Sequence, residues 1–101
     1  MTFDDYEVAA SRTTNLKLTD NERLMDAAAG LAEESGEVLS IVRKHAYQHR
    51  PIDKHKLEAE LGDALWCLTI TARTAGLSLE QIASANVAKL RDRYPEGYKD
   101  R

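Results

Sequence analysis

Apolar residues recur along this chain at the three- and four-residue spacings of amphipathic helices, in blocks separated by short polar breaks. Thr2, with Asp5 in the capping-box position, predicts a first helix from about Phe3 to Arg12 whose apolar side carries Phe3, Tyr6, Ala9 and Ala10. Thr13, Thr14 and Asn15 break the pattern as turn formers, and their polar side chains are also suited to lining a pocket. Thr19 with Glu22 opens a long second helix with a stripe of Leu24, Ala27, Ala28, Leu31, Val38, Ile41 and Val42, continuing to about Lys44 or beyond. Pro51 stops it, and Asp53 caps a third helix from about Lys54 to Thr74 with a stripe of Leu57, Leu61, Ala64, Leu65 and Leu68. Gly76 ends that helix. Ser78 with Gln81 starts the last, which packs Leu79, Ile82, Ala83, Val87 and Leu90 inward until Tyr94-Pro95-Glu96-Gly97 closes it. The pattern predicts one all-α domain over residues 1–101, a small bundle of four to five helices. It has more apolar helix face than one small bundle can bury, so homo-oligomerisation, as a dimer or a dimer of dimers, is expected to complete it.

Two of these stripes carry acids where apolar residues belong. Glu34 falls inside the stripe of the second helix with Glu37 one turn on, and Glu60 falls inside that of the third with Asp63 one turn on. Carboxylates on core-facing stripes are costly unless paired or metal-bound. Helical spacing supplies the first pair with no cation, since Val38 and Ile41 stand four residues beyond Glu34 and Glu37. Glu33 stands four before Glu37, a like-charge spacing that costs about 0.2–0.5 kcal/mol. The cluster therefore calls for a neutralising group from outside, and a hard divalent cation held by oxygen ligands is the leading candidate. Gly36, between the acids, costs about 1 kcal/mol of helix propensity. Either a close helix contact or a bulky ligand such as a metal-bound phosphate would account for it.

Composition narrows the setting. Hydrophobic content of 43% with 31% charged residues describes a soluble globular chain, and a net charge of −3 with pI near 5.6 argues against a general nucleic-acid surface. Cys67 is the single cysteine, so no intrachain disulfide forms, and a reducing cytoplasm is the expected location. MTFDDYEV lacks the basic and apolar regions of a secretory leader, and no apolar run reaches the roughly 18 residues of a membrane span. His45 and His49 have the spacing of half a zinc site, but with no third ligand they read as basic residues at a helix end.

Two further features bear on ligands. Trp66, one turn beyond Asp63, is placed either to fill the core or to stack a base beside the acids. Asn86, Lys89 and Arg93 follow at i, i+3 and i+7, a ridge that suits a phosphate chain and equally an ordinary basic face near a helix C-terminus.

The segments GLAEESGEVLSIVRK, LEAELGDALWCL and GLSLEQIASANVAKLRDRYPEG together resemble the MazG-like, all-α nucleotide pyrophosphohydrolases. Their EExxE and ExxD signature appears without departure at Glu33, Glu34, Glu37, Glu60 and Asp63, and the likeness runs from about Gly30 through Gly97. The resemblance implies Mg²⁺-dependent cleavage of nucleoside triphosphates between the α- and β-phosphates, with Mn²⁺ able to substitute. It makes Glu34, Glu37, Glu60 and Asp63 metal ligands and Asn86, Lys89 and Arg93 substrate-facing residues. Glu33 joins Glu34 and Glu37 as a catalytic candidate, whether as outer ligand, water-orienting base or structural partner. Polymeric nucleic acid and membranes are not expected partners.

Two other classes compete. A carboxylate-bridged di-iron bundle needs Glu-x-x-His, and no Glu here is followed three residues later by His. A non-catalytic helical module that binds a partner or dimerises would leave the acids exposed and show no response to divalent cations, and a narrower rival is a family member that binds a nucleotide or metal but turns over poorly.

Overall fold

Helix boundaries follow the capping chemistry. In the computed structural model, which describes residues 1–100, the helices are α1 (Phe3–Ser11), α2 (Asp20–Gln48), α3 (Lys54–Thr74) and α4 (Leu79–Arg93). Thr2, Thr19 and Ser78 each accept the N–H of the residue three on, and the Asp5, Glu22 and Gln81 side chains accept the cap's own N–H in return. Asp53 caps α3 by accepting from the Lys56 N–H at 3.0 Å. α2 runs past Lys44 to Gln48, where His49 takes a left-handed conformation (φ 54°) tolerated by its type. Gly76 (φ 80°) closes α3 in a Schellman turn, with Leu77 N–H bonded to the Ala72 carbonyl and Gly76 N–H to that of Arg73.

α2 and α3 form an antiparallel hairpin, the main packed unit of the chain. Ala27 and Ile70 share a core cluster, and three residues along α2 a Cβ on Gly30 would stand 2.8 Å from the Cys67 sulfur. The same register carries Glu34 to Glu60 and Asp63. α1 lies across the open end of the hairpin. The Trp66 indole N–H donates to Thr13 Oγ1 at 2.8 Å and to the Ala10 carbonyl at 3.3 Å. Arg23 of α2 holds the following loop by donating to the carbonyls of Asn15 and Leu18. Glu7 of α1, buried, accepts the first N–H of α4 from Leu79 at 3.2 Å and meets Arg73 at 3.5 Å. A carboxylate at a helix N-terminus offsets that end's positive partial charge.

α4 departs from the expected inward packing. Of its apolar stripe Leu79 is buried and Ala83 half-buried, while Ile82, Val87 and Leu90 stay exposed. Its main contact is with α1. The radius of gyration is 16.3 Å, where a compact chain of this length has about 13 Å. The accessible surface is 7955 Å², against roughly 5,700 Å² for a compact monomer of this mass. One chain is thus an open arrangement, a hairpin with two outlying helices.

Candidate active site

Helical periodicity and hairpin register together build the site. Glu34 projects from α2 toward Glu60 and Asp63, one turn apart on α3, and one carboxylate oxygen from each lies within 4.8 Å of the others. Glu34 and Glu60 are half-buried and Asp63 is exposed, so the cluster opens to solvent on one side. Oε2 of Glu34 is sealed from water and, among the described residues, has no hydrogen-bond partner. With both carboxylates ionised no donor can reach that oxygen, since Glu60 offers acceptors alone. Its pKa rises to about 7, first through a proton shared with Glu60, then through loss of water, then through the charges of Glu60, Asp63 and Glu37. Like charges crowded together and short of water produce that shift.

The donor set fits a hard divalent cation. Oxygens around Mg²⁺ sit at about 2.1 Å, hence up to about 4.2 Å apart, a span these three carboxylates close with small side-chain rotations. Glu37 lies outside the group of three and is exposed, yet its charge reaches Glu34. Glu33 is exposed on the neighbouring face of α2. Gly36 has open space where a side chain would be, so no helix within the chain requires a glycine there.

The remaining candidates are placed as follows. Trp66 is half-buried against the Ala10, Ala27 and Ile70 cluster, with its N–H committed to Thr13 and Ala10. Asn86 and Lys89 border a depression lined by Leu77, Gln81, Ile82 and Ala85, and Arg93 borders another with the Tyr94–Gly97 turn. Neither includes an acid of the cluster, so one chain does not join the α4 ridge to the carboxylates. Two residues that periodicity did not single out stand close to the site. The Tyr6 hydroxyl is pushed up by burial and then by the Asp63 and Cys67 charges. The Cys67 thiol is pushed up by burial, then by Glu34, Asp63, Asp26 and Glu33, which makes it unreactive. Tyr6 falls four residues before Ala10 on the packed side of α1, and its spacing marked it only as apolar.

An all-α fold in which carboxylates from two antiparallel helices converge offers a set of oxygen donors of the kind that hard divalent cations take. A family model described as the MazG nucleotide pyrophosphohydrolase domain matches residues 23–98, which contain α3, α4 and nearly all of α2. The chain belongs to that family. No curated protein and no solved structure matches it.

Proposed function

We propose that this chain is a Mg²⁺-dependent nucleoside triphosphate pyrophosphohydrolase that releases pyrophosphate and leaves the nucleoside monophosphate. The observation that carries the reading is the convergence of carboxylate oxygens from Glu34, Glu60 and Asp63, with one Glu34 oxygen buried and, among the described residues, unpartnered. Glu34, Glu60 and Asp63 would hold the cation, with Glu37 one turn beyond Glu34 completing the set. When bound there, a divalent cation would neutralise the polyanion and lower the pKa of its bound water, and Mn²⁺ would suit the same oxygen ligands. Glu33, exposed beside them, orients the attacking water or accepts its proton. Asn86, Lys89 and Arg93 span two helical turns, about 10 Å, a length matched to a whole triphosphate. Trp66 supplies a flat apolar wall, its indole N–H already bonded.

The working unit is a homodimer or a dimer of dimers. The surface in excess of a compact monomer, about 2,200 Å² per chain, is within the range that obligate oligomers bury. The exposed Ile82, Val87 and Leu90 lie on α4, so covering this face brings its ridge residues into the assembly. Among the described residues no helix is long and apolar enough to cross a membrane. The single buried cysteine suits the reducing cytoplasm proposed as its location.

Phosphorus NMR of a deoxynucleoside triphosphate incubated with protein and Mg²⁺ tests the reaction. Monophosphate plus pyrophosphate is the expected outcome. Diphosphate plus orthophosphate as first products refutes it.

A further inference from the structure

Charge is segregated along the hairpin. Residues 43–56 hold Arg43, Lys44, Arg50, Lys54 and Lys56 and all three histidines, against one acid, Asp53. With neutral histidines this segment is +4 in a chain of −3, leaving −7 for the rest. It forms the tip where α2 turns into α3, and every residue in it except Ile52 is exposed. Asp53 is occupied as the N-cap of α3. Among the described residues none of the five cations forms an ion pair; the pairs present are Arg23–Asp20 and Arg73–Glu7.

Helix electrostatics does not account for this charge. Arg43 and Lys44 stand before the last turn of α2, whose basic residue is His45, and Lys54 and Lys56 in the first turn of α3 are disfavoured by its dipole. α3 has no acid in its first turn, unlike the other three helices. Two of the cations lie within two helical turns of the acids. Lys56 precedes Glu60 by one turn, about 6 Å along α3, and Lys44 follows Glu37 by two, about 10 Å along α2. Arg43 and Lys44, with Ser40, Tyr47 and Gln48, border an open depression of about 510 Å³.

We propose that this tip is a recruiting site for a triphosphate chain, with Lys44 and Lys56 leading and Arg43, Arg50 and Lys54 behind them. An acidic body repels a polyanion at long range, and a concentrated positive patch beside the cluster reverses that field where it matters. The proposal rests on the hydrolase reading only for the identity of what is delivered.

The test uses the full chain, Lys44→Gln/Lys56→Gln, the charge-retaining Lys44→Arg/Lys56→Arg, and a charge-matched control, Arg12→Gln/Lys17→Gln, at the opposite end of the hairpin. Calorimetric binding of inorganic tripolyphosphate in EDTA, at low and high salt, reads the tip without the metal site. Steady-state turnover of a deoxynucleoside triphosphate with Mg²⁺ reads delivery. The Gln pair is expected to lose on the order of tenfold in tripolyphosphate affinity and in kcat/KM, with kcat unchanged and a flattened salt dependence. The Arg pair and the control keep wild-type values. Unchanged binding in the Gln pair, or an equal loss in the control, overturns the proposal. Salt-sensitive, tip-dependent binding with no nucleotide turnover leaves the tip standing and removes the hydrolase reading. Normal turnover with unchanged kcat/KM in the Gln pair does the reverse.

Discussion

Glu34 of α2 and Glu60 of α3 face each other across the hairpin, and one proton shared by the pair raises the Glu34 pKa to about 7. A carboxyl raised in the folded state binds more protons there than in the unfolded chain between its ordinary value of 4.5 and about 7. Stability of the metal-free protein is therefore present at acid pH and falls as pH rises through that window. Thermal unfolding in EDTA from pH 5 to pH 8 should show a falling Tm. Glu34→Gln should flatten the profile, and a profile rising with pH in the wild type would contradict the pairing.

Divalent cations should reverse this loss. Binding to the native state alone contributes RT ln(1 + [L]/Kd), about 2.7 kcal/mol at a hundredfold excess over Kd. Mg²⁺ or Mn²⁺ is expected to raise the Tm of the wild type at pH 7.5 and to leave Glu34→Gln nearly unmoved. Calorimetric scans with and without EDTA measure both.

Asp63→Asn and Glu37→Gln should each lower turnover by about 100-fold or more while keeping or raising metal-free stability, because each removes a repelling charge from the cluster proposed to hold a metal. Pyrophosphate release and Tm are read on the same samples. Near-wild-type turnover in either variant with Mg²⁺ would remove that residue from the ligand set.

Gly30 and Gly36 should respond in opposite directions to alanine. At Gly30 the new Cβ meets the Cys67 sulfur at 2.8 Å. Overpacking of that kind costs about 1–3 kcal/mol, more than the ~1 kcal/mol gain in helix propensity. At Gly36 nothing lies within 4 Å, so the propensity gain stands alone. Gly36→Ala is expected to raise Tm yet lower turnover, on the proposal that the open space beside it admits a metal-bound phosphate. Denaturant melts with matched assays decide both, and a fully active Gly36→Ala returns that glycine to no assigned role.

Sedimentation at micromolar concentration should give a dimer or tetramer. Ile82→Glu or Leu90→Glu, each placing a charge on the uncovered face of α4, should shift it toward monomer and lower activity with it. A folded, active wild-type monomer would exclude the proposed assembly.

Local chemistry alone determined much of this protein. Three capping boxes, Asp53, Pro51 and Gly76 act within a few residues of themselves, so the helix boundaries were legible from spacing, as was the set of acids lying on apolar stripes. The intrusion of Glu34 and Glu60 into those stripes pointed to their meeting, because a buried charge needs a partner wherever it is found. Which of the acids converge was decided by the register of α2 against α3, set where Gly30 admits Cys67. That register brings Glu34 to Glu60 and Asp63 and leaves Glu37 outside the group of three. Periodicity could not foresee that the Trp66 N–H would anchor Thr13, that Glu7 would cap α4, or that Tyr6 would stand near Asp63. Each of these joins elements far apart in sequence, and side-chain spacing within one helix carries no information about the helix that lies across it.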